Sequence, residues 1–215
     1  PDIIRVVAAS ADLPVRLIHR DDPVAGLGGA VLEGLRAAES RWCLVMDGDL
    51  QHPPEDIPRM LDRAAMGDVD IVVASRYVAG GTAGGLANAT RTAVSRASTA
   101  LTKSMFPRKL HGTTDPMTGF FLVDRDALDL DALRPRGFKI LLEILARQRL
   151  QVVEEPFVFA DRHAGESKAD LKQGFRFLSQ LAALRFGRVS RFAAIGADGA
   201  AGGEAGPAAE AQRGE

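Results

Sequence analysis

Two carboxylates, Asp47 and Asp49, and the amide of Gln51 directly follow an apolar run at residues 42–46. Such a run is typical of a buried strand, and open α/β sheets bind ligands just beyond the carboxyl ends of their strands. A divalent cation would relieve the repulsion between two carboxylates one residue apart. Hard oxygen ligands of this kind suit Mg²⁺ or Mn²⁺ and leave positions open for substrate phosphates. The alternative is an acidic turn in which Asp49 caps a helix starting near Pro54.

Basic side chains occur at two further places where an α/β sheet could hold an anion. Arg76 follows a predicted strand at residues 70–74, where it either pairs with a diphosphate or is a surface arginine. Arg162 and Lys168 lie in a loop after the last predicted strand. They either close over phosphates and neutralise a leaving group or belong to a solvated loop, and His163 beside them has the character of a loop side chain. Together with the carboxylates, these residues suit a metal-bound nucleoside diphosphate.

Two glycine-containing turns give weaker signals. Residues 26–29, GLGG, either cradle a phosphate at a helix N-terminus or form a tight turn, and their spacing matches neither Gly-rich phosphate-binding fingerprint. Residues 115–120, DPMTGF, form a turn of a kind that is usually structural. Asp115 in that turn is available to orient a sugar hydroxyl or a positive side chain.

The elements that must position these residues alternate along the chain. Strands are predicted at residues 15–19, 42–46, 70–74, 119–123 and 151–159, and helices at residues 27–40, 57–66, 87–105 and 138–148. This alternation predicts an α/β fold with a doubly wound, mostly parallel sheet.

Composition divides the chain into three parts. Residues 1–169 hold the alternating pattern, residues 170–196 are apolar and basic, and residues 197–215 are rich in Gly, Ala and Glu. The last part lacks aromatic residues, which predicts disorder. The middle part is either a helix packed on the domain with snorkelling arginines or a helix on an anionic membrane surface.

The overall composition excludes several classes of protein. The chain has 215 residues, 46% of them hydrophobic, which suffices for one soluble domain with a sizeable core. A net charge of −1 gives no argument for nucleic-acid binding. The single Cys43 excludes an intramolecular disulfide and suits a reducing compartment. The sequence begins at Pro1, so we expect an upstream segment to be missing.

Six segments occur in an order and spacing that resembles the family 2 glycosyltransferases of GT-A fold, and within them the polyprenyl-phosphate (dolichol-phosphate) mannose synthases. They are GLGGAVLEGL, MDGDLQHPPEDIP, DIVVASRYVAGG, DPMTGFFLV, GFKILLEIL and EEPFVFADRHAGESK, and they span residues 26–168. The family's first strand, with its Pro-Thr-Tyr-Asn-Glu motif, and its second strand have no counterpart. We therefore expect a GT-A sheet that lacks its first strands and half of its nucleotide pocket.

The resemblance implies metal-dependent transfer of a sugar, mannose from GDP-mannose before others, to polyprenyl or dolichyl phosphate with inversion. It assigns the Mg²⁺ or Mn²⁺ to Asp47, Asp49 and Gln51. The donor phosphates would contact these residues and also Gly48, Arg76, Lys139, Arg162 and Lys168. The catalytic set would be Asp49, Arg76, Arg162 and Lys168. A phosphate acceptor is largely dianionic at neutral pH, so it needs no general base to attack the anomeric carbon.

Two other hypotheses stay open. One keeps the class but transfers glucose instead of mannose to the lipid phosphate, because the sequence does not read the sugar ring. The other is a truncated, non-catalytic remnant that binds lipid phosphate or a partner chain. The resemblance implies a cytoplasmic protein, peripheral on the cytoplasmic face of the membrane, with a separate membrane subunit as a further possible partner.

Overall fold

The strands and helices follow one another much as the apolar pattern predicts. We describe the computed structural model of the chain over residues 14–49, 51–82, 89–135, 138–159 and 171–186. In chain order, the elements are α1 (Gly26–Ala37), β1 (Trp42–Val45), α2 (Ile57–Ala65), β2 (Ile71–Ser75), α3 (Ala89–Met105), β3 (Phe121–Asp124), α4 (Ile140–Arg147), β4 (Val152–Pro156) and α5 (Leu171–Phe186). Short 3₁₀ helices, Pro54–Asp56 and Arg125–Ala127, precede α2 and follow β3.

The strands form one sheet in the order β1-β3-β2-β4. β2 and β4 are parallel, whereas β3 runs antiparallel to both β1 and β2. β1, β2 and β4 therefore share one direction, although two of the three neighbouring pairs are antiparallel, so the sheet is mixed. The predicted α/β class is confirmed. Because β3 is reversed, its first residue lies at the edge where its neighbours end, and Phe121 pairs with both Val45 and Val73. The segments that follow β1, β2 and β4 and the segment that precedes β3 meet at this edge.

The core has two parts because successive side chains of a strand point to opposite faces of the sheet. Ile71 and Val73 pack on one face, and Val72 and Ala74 pack on the other. The first face is covered by residues of α1, α4 and α5, and the second by residues of α2. α4 is buried along residues 140–145, as expected for a helix that is apolar almost all round.

The predicted strand at residues 15–19 is wrong. Residues 14–20 have no regular secondary structure, and Val15 remains 49% exposed. A strand needs a neighbour for its backbone N–H and C=O groups, and no described residue pairs with this segment. Apolar alternation was therefore not enough to form a strand here.

Helix α5 lies within the apolar and basic segment predicted at residues 170–196. Phe177 and Leu181 are buried in the core of the first sheet face, while Leu178 and Phe186 are exposed, Phe186 at 74%. The helix thus packs through one face and presents apolar side chains on another. Among the helices that the structure describes, none has the length and hydropathy needed to cross a bilayer. The predicted disorder at residues 197–215 lies outside the described residues.

Candidate active site

Asp47 and Asp49 lie in the turn that directly follows β1, at the sheet edge where the strands converge. The Asp47 side chain is 48% exposed, and Asp49 Oδ1 accepts the backbone N–H of Gln51 at 3.2 Å. The Gln51 residue is only 6% exposed. Pro53 precedes the 3₁₀ helix and makes no side-chain cap hydrogen bond, and the contact of Asp49 with the Gln51 N–H lies within the turn itself. Gly48 faces open space, so its own position would tolerate a Cβ.

His52 supports this turn from the core side. Its ring is 3% exposed and stacks on Phe120, with centroids 5.1 Å apart, and its Nδ1 accepts the backbone N–H of Asp47 at 3.0 Å. Burial lowers the pKa of His52, although the charges of Asp47 and Asp49 act in the opposite direction. The neutral ring therefore carries its proton on Nε2 and keeps Nδ1 as an acceptor for the Asp47 backbone.

Gly119 lies against the Asp47 carboxylate. A Cβ at position 119 would stand 2.9 Å from Asp47 Oδ2 and 3.4 Å from the His52 ring. No real side chain fits at such a distance without displacing the carboxylate. The absence of a side chain at Gly119 therefore makes room for the Asp47 carboxylate. Gly119 belongs to the segment that directly precedes strand β3.

Arg76 and Asp115 form a buried, two-point ion pair. Arg76 Nε and Nη2 donate to the two oxygens of Asp115 at 2.7 and 2.9 Å, and the Arg76 backbone N–H also points to Oδ2 at 3.3 Å. The side chains are 11% and 0% exposed, respectively. Burial acts to lower the pKa of Arg76, but the hydrogen bonds and charge of Asp115 raise it above its usual value. Of the two roles open to Asp115, the structure therefore supports the orientation of a positive side chain.

Lys139 is a second, partly buried cation at this edge. Its Nζ donates to the Met117 carbonyl at 2.9 Å and lies 4.9 Å from the ring centroid of Phe138. Burial and the charge of Arg76 lower the pKa of Lys139 to about 8, against the opposing charges of Asp115 and Asp47. These charges act on one another because the turn after β1, the end of β2 and the start of α4 meet here.

A basic cavity of about 520 Å³ opens between the loop after β2 and helix α3. Its lining includes Arg76, Arg96, Thr99, Lys103 and Thr114. The buried Thr99 Oγ1 has no hydrogen-bond partner among the residues described. Tyr77 Oη and Ser95 Oγ are 2.8 Å apart and link the loop to the helix. The cavity shares Arg76 with the carboxylate site and has room for an anionic group.

The residues after β1 fit a divalent cation that also binds phosphate oxygens. Asp47 and Asp49 offer hard oxygen donors, and Gly119 leaves room for the Asp47 carboxylate in its present position. Within the described ranges, no group of three or more His, Cys, Asp or Glu side chains that could hold a metal ion is found. Asp47 and Asp49 alone would leave most coordination positions of a divalent cation to other oxygen ligands.

The structure brings most of the predicted site residues to one edge of the sheet: Asp47, Gly48, Asp49, Gln51, Arg76 and Lys139. Arg162 and Lys168 lie outside the described residues. The sequence did not single out His52, Gly119 or Glu154, a residue of β4 that accepts hydrogen bonds from the turn at residues 113–115. The position of His52 three residues after Asp49 could have indicated a role near the carboxylates. The contacts of Gly119 and Glu154 arise only from the fold.

The GLGG segment at residues 26–29 has a structural reason for its glycines. α1 begins at Gly26, which has a φ of 56°. A Cβ at Gly29 would clash with the Val24 carbonyl, and the Arg20 guanidinium donates to the Gly26 carbonyl at 3.0 Å. These contacts are those of a tight turn, which is one of the two interpretations of this segment.

The family model for glycosyl transferase family 2 matches residues 1–130, and the chain belongs to this family. The chain is also similar to several curated enzymes whose names state the sugar and the acceptor. Dolichol-phosphate mannosyltransferase of Pyrococcus furiosus is 36% identical over 193 residues, which cover 87% of this chain and 54% of the relative. The enzyme of the same name from Saccharomyces cerevisiae is 34% identical, with 79% and 64% covered. Undecaprenyl-phosphate mannosyltransferase of Micrococcus luteus is 34% identical, with 74% and 67% covered. The chain thus spans about half to two thirds of the length of these relatives.

Solved structures with the same fold include glucosyl-3-phosphoglycerate synthase from Mycobacterium tuberculosis. Its complex with phosphoglyceric acid has a TM-score of 0.55 at 17% identity, over 85% of this chain and 64% of that one. Its complex with Mn²⁺, UDP-glucose and phosphoglyceric acid has a TM-score of 0.53 at 17% identity, over 84% and 63%. At this identity the similarity establishes the fold, which is the GT-A fold expected from the sequence.

Proposed function

We propose that this chain carries the site of a glycosyltransferase that moves mannose from GDP-mannose to a polyprenyl phosphate. The observation that carries the proposal is that two carboxylates and two partly buried cations lie at one edge of the sheet. Asp47 and Asp49 suit a metal-bound diphosphate, and Arg76 and Lys139 suit phosphate oxygens. The names of the mannosyltransferase relatives support both the sugar and the lipid phosphate.

On the donor side, Asp47, Asp49 and Gln51 would hold Mg²⁺ or Mn²⁺, and Gly48 would lend backbone contacts to the diphosphate. The cation, when bound, neutralises charge on the departing nucleoside diphosphate. Lys139 adds a positive charge beside Asp47. We extend the same role to Arg162 and Lys168, whose loop follows β4 in sequence and would supply further charge to the leaving group.

On the acceptor side, the basic cavity is suited to a phosphate monoester. Arg76, Arg96 and Lys103 line it, and they compensate the repulsion between the acceptor and the donor diphosphate. Since the dianionic acceptor is already a nucleophile, the protein has to orient and neutralise it but does not have to remove a proton. In-line attack on the anomeric carbon would then invert the sugar configuration.

We further propose that the protein works at the cytoplasmic face of a membrane, where a polyprenyl phosphate is held. The exposed side chains of α5 include Leu178, Arg185 and Phe186, a mixture of apolar and basic groups that suits an anionic lipid surface. A separate membrane subunit would be a compatible partner for the same helix.

The direct test is a transfer assay with labelled GDP-mannose, polyprenyl phosphate and either Mn²⁺ or Mg²⁺, followed by lipid extraction. We expect label in the lipid phase that disappears when the metal is chelated. Asp49→Ala should abolish the transfer, whereas Asp21→Ala, which changes an exposed carboxylate, should leave it unchanged. Full activity of Asp49→Ala would contradict the metal assignment.

Two parallel reactions distinguish the other hypotheses. Labelled UDP-glucose in place of GDP-mannose tests the sugar, and lipid label from glucose alone would replace the mannosyl proposal with a glucosyl one. Binding of polyprenyl phosphate without transfer from either donor would instead indicate a non-catalytic binding protein. That result would overturn the enzymatic proposal for this chain.

A further inference from the structure

Glu154 of β4 binds the turn that carries Asp115. One of its oxygens, Oε1, accepts hydrogen bonds from Thr113 Oγ1 at 2.7 Å, from the Thr114 backbone N–H at 2.7 Å and from the Asp115 backbone N–H at 3.1 Å. A loop that binds an anion typically directs several N–H and O–H donors at one oxygen. Here the anion is the Glu154 carboxylate of strand β4, and the loop is the turn at residues 113–115.

The neighbouring Glu155 has a different environment, because adjacent residues of a strand face opposite sides of the sheet. Its carboxylate pairs with Arg59 of α2 at 3.2 Å. Only Glu154 therefore reaches the residues 113–115, and Glu155 provides a carboxylate in the same strand that serves as a natural control.

The turn held by Glu154 orients Arg76 through Asp115. The Asp115 carboxylate accepts hydrogen bonds from both Nε and Nη2 of Arg76. The adjacent Thr114 Oγ1 lies 2.7 Å from Ser75 Oγ at the end of β2. Glu154, Asp115 and Arg76 thus form a relay from β4, across the turn, to the end of β2. Without an acceptor at position 154, the Thr114 N–H would lose its acceptor and the Asp115 N–H would keep only Thr113 Oγ1 at 3.2 Å, which makes the observed turn unfavourable.

We propose that Glu154 is a positioning residue that sets the direction of the Arg76 guanidinium for phosphate binding. The inference rests on the proposed function, in which Arg76 contacts phosphate, but the arrangement of Arg76 itself is measurable without any turnover. Glu154 acts only through the turn and touches no substrate in this proposal.

The first readout is the Arg76 Nε–H resonance in ¹⁵N-labelled protein, assigned by its absence in Arg76→Lys. In the unmodified protein this proton is buried against Asp115, so we expect a resolved signal that exchanges slowly with water. Glu154→Ala should shift it towards the position of a free arginine and speed its exchange at least about tenfold, as loss of a charged hydrogen-bond acceptor implies. Glu154→Gln keeps an oxygen acceptor and should retain most of the signal, and Glu155→Gln should leave it unchanged.

The second readout is kinetic. Glu154→Ala should raise the KM for polyprenyl phosphate roughly tenfold with a smaller change in kcat, because it misaligns a binding group without removing it. In a double-mutant cycle, Glu154→Ala should add little to Arg76→Ala, because both changes affect the same contact. A merely structural role would instead lower Tm and add to the effect of Arg76→Ala.

An unchanged Arg76 Nε–H signal in Glu154→Ala would overturn the proposal, and so would an equal loss of that signal in Glu155→Gln. Additive effects in the double-mutant cycle would also overturn it. If Arg76→Ala leaves the KM for polyprenyl phosphate unchanged, the phosphate role of Arg76 fails. The Arg76 Nε–H resonance would still decide whether Glu154 positions Arg76. The two measurements therefore distinguish failure of the phosphate-binding role of Arg76 from failure of the positioning role of Glu154.

Discussion

The backbone N–H of Asp47 donates to Nδ1 of His52, five positions further along the chain, with 3.0 Å between the two nitrogens. The bond fixes the main chain from which the Asp47 carboxylate extends. Stacking on Phe120 and edge contact with Phe157 hold the imidazole in turn. A rigid aromatic group in the core is thereby connected to a half-exposed carboxylate at the site.

His52→Phe tests this connection. Phenylalanine preserves a ring against Phe120 but removes the acceptor of the Asp47 N–H, so the turn after β1 should become mobile. We expect the Mn²⁺ concentration for half-maximal transfer to rise roughly tenfold, on the scale of one lost hydrogen bond. His111→Phe, at an exposed histidine, is the control. Unchanged metal dependence in His52→Phe would show that the bond has no such role.

Gly119→Ala tests the space beside the Asp47 carboxylate. The new Cβ would lie 2.9 Å from Oδ2, so the carboxylate has to move away from its present position. We expect metal affinity, measured by titration calorimetry, to fall about tenfold or more, because small displacements of a reacting group carry large costs. Gly34→Ala, in α1 with open space around it, should keep the affinity unchanged and stabilise the protein by up to about 1 kcal/mol. Equal metal affinity in the two variants would contradict the assignment.

The lowered pKa of Lys139 predicts that phosphate binding weakens at alkaline pH. Burial and Arg76 lower its pKa to about 8, so its positive charge is present below that pH and disappears as the pH rises through it. Since the neutral amine no longer attracts phosphate, kcat/KM should fall above pH about 8. The ¹³Cε shift of Lys139 should titrate over the same range in the metal-free protein. In Lys139→Arg the charge persists, and this alkaline inflection should vanish; its survival in that variant would assign it to another group.

The hydrogen bonds of Asp124, at the end of β3, predict a contribution to stability that depends on pH. Its carboxylate accepts Nε and Nη2 of Arg41 and the backbone N–H of Asp126 at the start of a 3₁₀ helix. The bond to Arg41, followed by that to Asp126, lowers the pKa of Asp124 below its ordinary value. A carboxyl with a depressed folded-state pKa stabilises the protein above its unfolded-state pKa, and this contribution is lost as the pH falls through the folded-state pKa.

Asp124→Asn keeps an oxygen that can accept the Asp126 N–H but removes the charge that pairs with the exposed Arg41. It should therefore lower the free energy of unfolding by at most about 1 kcal/mol at pH about 7, the upper range for a surface ion pair, and by much less in acid. Urea denaturation at both pH values measures the difference. Asp62→Asn, at an exposed carboxylate, should have little effect at either pH. A loss at Asp124 of the same size in acid as at neutral pH would show that the carboxylate charge is not responsible.

The sequence was sufficient to predict the side chains that follow the ends of parallel strands. Asp47 follows an apolar run and Arg76 follows another, and the general rule for α/β sheets places both at the ligand edge. The stacking of His52 on Phe120 and the contacts of Glu154 were out of reach, because each depends on a partner supplied by a distant part of the chain. The segment at residues 15–19 failed for a related reason, since its apolar pattern describes a strand but cannot supply the neighbouring strand it needs.

The strand order has a consequence for how the chain assembles. β1 and β2 follow one another in sequence, yet each pairs with β3, which begins at Phe121. On a ribosome, the edges of β1 and β2 that pair with β3 would therefore wait for about 75 and about 50 further residues of synthesis, several seconds at ordinary rates. Pairing at such separations is slow, and exposed apolar edges associate readily in the meantime. The other edge of β2 stays unpaired until β4 follows, so we expect protection from association to be complete only after β4 has been inserted.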